Sequence, residues 1–197
     1  FPKADILVGA NYSNERGRMN AIVMPGKERS GDAVYGKHIL LPFGEYLPFE
    51  DSLDGLRNKI RGIRDFVPGT GRRTLRIGRI SLLPSICYEM LYSGFLRKAV
   101  NRDTDAILNL TDDAWFGRTS CPEMHFQAAR FRAVENRLPV IRCANSGISA
   151  IIAPDGTPLF RTPLFEKEVV VSAIRQWQGG SFYSSHSCWL LPLSVIY

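Results

Sequence analysis

Residues 80–89 carry the sequence ISLLPSICYE, an apolar run that ends in a cysteine followed by tyrosine and glutamate. An uninterrupted apolar run of this length is typical of a β-strand that is covered on both faces. We predict a strand over 80–87 and a helix around 90–101, which places Cys87 at a strand-to-helix turn. The positive end of a helix dipole favours a thiolate, so Cys87 is a candidate nucleophile. A buried cysteine that acts only as a small apolar residue is the alternative.

Further strands and helices are predicted on both sides of this segment. Short runs rich in Ile, Val and Leu and bounded by Gly, Pro, Asn or Asp predict strands at 5–10, 20–24, 38–41, 74–78, 105–110, 139–144, 147–153 and 168–174. Residues 121–137 predict a helix, whose regularly spaced apolar positions include Met124, Ala128, Phe131 and Val134. Residues 51–64 predict a basic amphipathic helix, which either packs on its own domain or lies on a membrane surface. Strands that alternate with helices indicate an α/β or layered α+β fold.

Composition and charge narrow the class of protein. The chain has 197 residues, of which 45% are apolar and 22% charged; these ordinary globular values exclude a disordered or collagen-like protein. The net charge of +6 permits contact with phosphate, although a basic soluble surface is the alternative. No nucleic-acid-binding module is recognisable. The four cysteines form no CxxC pair, and Cys121 with His125 falls short of a metal site. We predict no metal, no cofactor and no nucleic-acid partner.

Two further segments combine polar residues with rigid turns. Residues 35–49 place Lys37 before a dense Pro/Gly/aromatic turn that carries Glu45. A fixed Lys ammonium stabilises an oxyanion beside a cysteine, whereas a solvated edge lysine is the alternative. Residues 109–117 (NLTDDAWFG) lead from an apolar strand into a loop with two adjacent aspartates, which point to different faces of an extended chain. This loop either lines the mouth of a pocket or forms the capped start of a helix.

These segments, in this order, resemble the nitrilase (carbon–nitrogen hydrolase) superfamily and, within it, the apolipoprotein N-acyltransferase branch. The likeness covers most of residues 5–178 and lies in YGKHILLPFGEYLP (35–48), DFVPG (65–69), ICYE (86–89), NLTDDAWFG (109–117) and HFQAARFRAVENRLPVIRCANSGISAII (125–152). The resemblance implies an αββα sandwich over 1–178 that is incomplete at its N-terminus. Residues 179–197 are then expected to lead towards a membrane helix.

The resemblance also implies a role for each matched residue. Cys87 is implied to take an acyl group as a thioester, Lys37 to stabilise the oxyanion, and Glu45 to hydrogen-bond within the site. Four neighbouring residues are implied to orient the nucleophile or to line the acyl pocket: Tyr88 and Glu89 for orientation, Trp115 and Phe116 for the pocket.

The implied reaction passes an acyl chain from a phospholipid to the N-terminal cysteine of an apolipoprotein. The resemblance places it at the bacterial inner membrane, with the catalytic domain facing the periplasm and a membrane surface as a partner. The superfamily's general-base Glu has no match before residues 6–10, so we expect this chain alone to be weakly active or inactive. A nitrilase-like amidase that hydrolyses a small C–N bond, and a non-catalytic remnant or binding module, are the alternatives.

Overall fold

The computed structural model describes residues 4–28, 33–48, 65–71, 74–174 and 180–185. The chain divides into two compact units, Phe1–Arg72 and Arg73–Tyr197, each of which has its own β-sheet. Within the described ranges, no helix has both the length and the apolar character needed to cross a bilayer. The helix predicted at 51–64 lies outside the described residues.

The first unit contains a three-stranded antiparallel sheet. Its strands, in spatial order, are β1 (Val8–Asn14), β2 (Gly17–Val23) and β3 (Val34–Gly36). The central strand β2 is the apolar one, and Ala21 and Ile22 are fully buried there. The prediction of a strand at 38–41 is wrong, because the chain leaves the sheet after β3. The N–H of Lys37 still donates to the carbonyl of Asn20 in β2, but the carbonyl of Lys37 accepts a hydrogen bond from the N–H of Gly69, outside the sheet.

The second unit contains a six-stranded sheet in sequential order. Its strands are β4 (Leu75–Ile77), β5 (Ile80–Ile86), β6 (Ala106–Asp112), β7 (Val140–Asn145), β8 (Ala150–Ile152) and β9 (Pro158–Arg161). The central strands β5, β6 and β7 are parallel, and the outer pairs are antiparallel. Buried residues of the central strands, such as Leu83, Ile107 and Val140, belong to one core cluster. The continuous apolar runs therefore form strands that are buried on both faces, as predicted, and the structure places them as parallel strands at the centre of the sheet.

Two α-helices and two short 3-10 helices connect these strands. The α-helices are α1 (Ser93–Ala99) and α2 (Cys121–Asn136), and the 3-10 helices are Cys87–Leu91 and Ala114–Phe116. Both predicted helices of this unit are confirmed, and so is the mixed α/β class.

The buried face of α2 differs from the apolar positions that its sequence spacing suggested. Met124 and Phe131 are exposed. The buried face instead carries small, aromatic and polar residues: His125, Phe126, Ala129, Arg132, Ala133 and Asn136. The two alanines leave room for close packing on the core cluster. Hydrogen bonds satisfy Nδ1 of His125, Nη1 of Arg132 and the amide nitrogen of Asn136, whereas Nε of Arg132 and Oδ1 of Asn136 find no partner among the described residues.

The prediction of a strand at 168–174 is also wrong. These residues form no regular structure, and Val169 and Val171 are almost fully exposed. β-Branched residues favour a strand only where a neighbouring strand and a packed face are present. The outer strand β9 was not predicted, since its four residues carry no alternating apolar pattern.

Candidate active site

The cysteine turn, residues 86–89, joins β5 to the 3-10 helix Cys87–Leu91. Cys87 has a φ of 53°, a left-handed conformation that is uncommon for a residue other than glycine. The carboxylate of Glu89 is fully buried and accepts a hydrogen bond of 2.7 Å from the N–H of Ile86. The predicted strand-to-helix turn is confirmed, and its strained residue persists because the surrounding structure holds it.

A row of polar side chains crosses the three parallel strands beside this turn. Ser85 of β5 pairs with Asn109 of β6, which pairs with Arg142 of β7. The amide nitrogen of Asn109 lies 3.2 Å from the carbonyl oxygen of Ser85 and 3.3 Å from that of Cys87. Since Asn109 is fully buried, these hydrogen bonds form without competition from solvent. They tie β6 directly to the backbone of the cysteine turn.

Arg142 extends this row with a guanidinium that uses all three of its nitrogens. Nη1 donates to Oδ1 of Asn109, Nη2 donates to Oδ2 of Asp113 at 2.6 Å, and Nε donates to the carbonyl of Ile148 at 3.0 Å. The side chains of Arg142 and Asp113 are both 0% exposed. Burial lowers the pKa of Arg142, and the charge of Asp113 partly offsets that effect. The two groups form a fully buried, hydrogen-bonded ion pair.

Asp113 is also bound through its other carboxylate oxygen. Oδ1 accepts a hydrogen bond of 2.9 Å from the hydroxyl of Thr111 and lies 3.2 Å from Nδ1 of His125. Burial alone raises the pKa of Asp113, but the hydrogen bond to His125 and the charge of Arg142 outweigh burial, so the pKa lies below its usual value. A Cβ on Gly147 would lie only 2.5 Å from Oδ2 of Asp113. Only glycine therefore fits there without displacing the carboxylate.

The aromatic loop, residues 112–117, contains Asp113 and two aromatic side chains. Asp112 is exposed and accepts a 3.0 Å hydrogen bond from the N–H of Ala114, the first residue of the short helix, whereas Asp113 directly precedes that helix. Phe116 packs edge-to-face on His125, with ring centroids 5.1 Å apart. Trp115 is 75% exposed. The two adjacent aspartates thus differ in environment, as the sequence predicted, and only Asp113 belongs to the buried row.

The two supporting residues expected beside Cys87 have different surroundings. Glu89 is buried beneath the cysteine turn and bonds its backbone. Tyr88 is half-buried and packs edge-to-face on Tyr92, with ring centroids 5.4 Å apart. The carbonyl of Leu91, at the end of the same 3-10 helix, accepts a hydrogen bond of 3.2 Å from Arg132 of α2. The short helix is therefore held at both of its ends.

The first unit holds a second buried ion pair, between Lys37 and Glu45. Nζ of Lys37 donates to Oε2 of Glu45 at 2.6 Å, and the side chains are only 2% and 11% exposed. Glu45 also accepts hydrogen bonds from the side chain of Asn20 at 2.9 Å and from the N–H of Leu41 at 2.8 Å. The turn that carries Glu45 thus holds its carboxylate against the ammonium, in agreement with the rigid turn that the sequence predicts.

The DFVPG segment supports this pair through the backbone. The N–H of Phe66 donates to the carbonyl of Glu45 at 2.8 Å, and the N–H of Gly69 donates to the carbonyl of Lys37 at 2.7 Å. A Cβ on Gly69 would lie 2.1 Å from the carbonyl oxygen of Gly36. The two backbones approach closely because neither residue has a side chain.

A profile of the family described as carbon-nitrogen hydrolase matches residues 5–181. This chain belongs to the carbon–nitrogen hydrolase family. Solved structures show the same fold: XC1258 from Xanthomonas campestris, a CN-hydrolase superfamily protein, has a TM-score of 0.64 at 18% identity, over 98% of this chain and 69% of that chain. Nit3 from Saccharomyces cerevisiae, of the nitrilase superfamily, has a TM-score of 0.61 at 16% identity, over 84% and 58%.

Among curated proteins, this carbon–nitrogen hydrolase resembles enzymes named apolipoprotein N-acyltransferase. The relative from Photobacterium profundum is 34% identical over 97% of this chain and 40% of its own length. The relative from Geobacter metallireducens is 39% identical over 75% of this chain and 28% of its own length. The chain therefore spans less than half the length of these curated relatives.

Sequence reasoning missed the buried row of this carbon–nitrogen hydrolase. The row of Ser85, Asn109 and Arg142 continues through Asp113 to His125. Two of them interrupt apolar strands, Asn109 within AILNL and Arg142 within VIRCAN. A polar residue inside a run that is otherwise buried needs a partner. That signal pointed to a buried network, although it gave no indication of which residues meet.

Proposed function

We propose that this chain carries acyl-transfer machinery of an apolipoprotein N-acyltransferase. The observation that carries the proposal is the cysteine turn: Cys87 has a strained backbone at the end of a parallel strand, with its carbonyl fixed by Asn109. Nucleophilic residues of hydrolytic folds are commonly presented on such strand-to-helix turns. The names of the curated relatives support the acyl-transfer chemistry.

The proposed reaction has two steps, acylation of Cys87 and transfer of the acyl group to an amine. The thiolate of Cys87 attacks the ester carbonyl of a phospholipid, a C–S bond forms, the C–O bond breaks, and the lysophospholipid leaves as an alcohol with the proton that the thiol gave up. The N-terminal amine of an apolipoprotein then attacks the thioester. A C–N bond forms, the C–S bond breaks, and the proton lost by the amine restores the thiol.

Lys37 and Glu45 have distinct roles in this proposal. The ammonium of Lys37 stabilises the oxyanion that forms on the substrate carbonyl in each step. Glu45 keeps that ammonium in place, since its carboxylate is itself held by Asn20 and by the backbone of Leu41. A cation that is oriented before substrate binds needs no reorganisation during the reaction.

Two features support the proposed substrates: the aromatic loop and the net positive charge of the chain. The exposed ring of Trp115 and the neighbouring Phe116 supply apolar surface for an acyl chain. The net charge of +6 suits a membrane surface that contains anionic phospholipid. We propose that the protein acts at the inner membrane, on its periplasmic side, where lipoprotein amines and phospholipids are both present.

The test is the intact mass of the chain after incubation with phosphatidylglycerol vesicles. We expect slow formation of a hydroxylamine-labile adduct with the mass of one acyl chain on the wild type, in line with the weak activity predicted from the sequence, and none on Cys87→Ala. Cys143→Ala is the matched control, because Cys143 is an exposed cysteine of the same unit and its loss should leave the adduct intact. An adduct that persists in Cys87→Ala, or a wild type that forms none, would overturn the proposal. Hydrolysis of a small amide without any acyl adduct would identify an amidase instead.

A further inference from the structure

We propose that Arg142 is a positioning residue, which holds the cysteine turn through Asn109 and the aromatic loop through Asp113 in one fixed arrangement. The inference rests on the proposed function, because it assigns to Arg142 the task of aligning the nucleophile with the acyl-binding loop. Arg142 has no exposed side-chain surface, so it acts through its neighbours and does not touch the substrate.

The first connection runs from Arg142 to the cysteine turn. A guanidinium only donates hydrogen bonds, so the side-chain oxygen of Asn109 must face it. The amide NH₂ of Asn109 then points the other way, to the carbonyls of Ser85 and Cys87 at 3.2 and 3.3 Å. Arg142 thus fixes which end of the Asn109 amide meets the turn. A flipped amide would place its oxygen against the Cys87 carbonyl and push the turn away.

The hydrogen bond from Asn109 reaches Cys87, whose backbone is strained. Cys87 is the one residue of the cysteine turn with a positive φ, and a strained residue relaxes unless its peptide groups are held. The N–H side of the turn is held by Glu89, which accepts from Ile86 at 2.7 Å. The carbonyl side is held by Asn109.

The second connection runs from Arg142 to the aromatic loop. Nη2 donates to Asp113, the residue directly before the short helix Ala114–Phe116. The other oxygen of Asp113 meets His125, whose ring contacts Phe116 edge-to-face. Both connections use one planar guanidinium, and a lysine ammonium would not reach both partners in that geometry.

The closing experiment uses amide hydrogen exchange and thioester formation on the same variants. Asn109→Asp keeps the oxygen that Arg142 binds but removes the NH₂ donor, so we expect about tenfold faster exchange in 86–92 and little change in 113–118. Arg142→Lys disturbs both connections, so both peptides should exchange faster. Gln127→Glu is the matched control: it also removes an amide donor, to the carboxylate of Glu123, while it keeps the oxygen that Arg130 binds, and it should alter neither peptide.

Thioester formation on Cys87 supplies the second readout. We expect its maximal rate to fall about tenfold in both variants, while the vesicle concentration that gives half-maximal rate stays unchanged in Asn109→Asp and rises in Arg142→Lys, which also releases the aromatic loop. A role confined to fold stability would instead accelerate exchange evenly through 80–86 and 106–112, and that result would overturn the inference. Wild-type exchange at 86–92 in both variants would overturn it as well.

These outcomes separate the inference from the proposed function. If the wild type forms no thioester, the proposed function fails, and the exchange pattern alone still decides whether Arg142 positions the turn. If Arg142→Lys does not fold, the pattern in Asn109→Asp decides.

Discussion

The two units each contain a buried ion pair with a contact of 2.6 Å, but the pairs are built in different ways. Lys37 and Glu45 lie 8 residues apart and meet through a local turn. Asp113 and Arg142 lie 29 residues apart and meet because two parallel strands are neighbours. Glu45 has two further hydrogen-bond donors, from Asn20 and Leu41. The guanidinium of Arg142 has Asp113 as its charged partner and otherwise bonds neutral oxygens.

The two ion-pair contacts have the same length, but we expect their loss to lower the free energy of unfolding by different amounts. A buried charge that loses its counter-charge is expensive unless hydrogen bonds remain to solvate it. Loss of Lys37 leaves a carboxylate that still has two donors. Loss of the Asp113 charge leaves a cation that also keeps two partners, Asn109 and Ile148, but its side chain is 0% exposed, whereas that of Glu45 is 11% exposed and reaches solvent. Substitutions at the two ion pairs, at a close backbone contact and at a buried glutamate test this contrast.

Asp113→Asn is expected to cause the largest loss of stability. The variant keeps the shape of the side chain but leaves the Arg142 guanidinium buried without its counter-charge, so we expect a decrease of about 3–5 kcal/mol in the free energy of unfolding. Urea unfolding at pH 7, followed by far-UV circular dichroism, measures it. Asp112→Asn is the control, since Asp112 is exposed and an Asn side-chain oxygen accepts the same hydrogen bond from the N–H of Ala114.

The pH dependence of the free energy of unfolding tests the same Asp113 carboxylate. The pKa of Asp113 is lowered in the folded protein, so its contribution is fully present above the unfolded-state value of about 3.9 and is lost as the pH falls through the lower folded value. The stability difference between the wild type and Asp113→Asn should therefore shrink below about pH 4. A difference that is constant down to pH 2 would contradict this assignment.

Gly69→Ala is expected to cost about 3 kcal/mol in the first unit, at the upper end of ordinary overpacking. The new Cβ would meet the backbone of Gly36 at 2.1 Å, and backbone atoms have no alternative rotamer. Faster hydrogen exchange in 17–23 and 34–36 would report the loss. Gly94→Ala is the control, because a Cβ there meets nothing within 4 Å and lies in α1, where Ala is favoured over Gly. Equal stability of the two variants would show that the close approach is not required.

Lys37→Met is expected to cost about 2 kcal/mol, less than Asp113→Asn, because the Glu45 carboxylate is partly exposed and keeps two hydrogen-bond donors. Thioester formation on Cys87 should nevertheless fall by about 10²–10³, the usual effect of removing one oxyanion donor. The same urea titration and the intact-mass assay measure the two quantities. Lys27→Met removes a half-exposed lysine that pairs with Asp5 and serves as the control. A stability loss as large as that of Asp113→Asn would contradict the contrast between the two pairs.

Glu135→Gln is expected to have the smallest effect, a gain of less than about 1 kcal/mol at pH 7. Burial raises the pKa of Glu135, and the charge of Arg132 offsets this only in part. A carboxyl with a raised folded pKa stabilises the fold most below the unfolded value of about 4.3 and loses that contribution as the pH rises through the folded value. A permanently neutral Gln avoids the loss, so its advantage should vanish in acid, opposite to the behaviour of Asp113. Glu123→Gln, on the exposed pair with Arg161, should show no such advantage.

Local features of the site were predictable from the sequence. The cysteine turn followed from an apolar run that ends at a polar tripeptide, and the Lys37–Glu45 pair lay within one rigid turn. The central strands were predictable because burial on both faces leaves an uninterrupted apolar run. Errors arose where the environment was not local. Among the residues that the structure describes, no strand pairs with the valines at 168–174, and the apolar residues Met124 and Phe131 of α2 face outwards.

The sequence by itself therefore determined the family of the chain, the position of Cys87 after a strand, and the residues expected to act with it. Only the tertiary structure decided which polar residues share the interior with the cysteine turn. Asn109, Asp113 and Arg142 meet because β5, β6 and β7 are neighbours in a particular register. Register depends on packing summed over whole strands, and a shift of one residue would turn each of these side chains to the opposite face of the sheet.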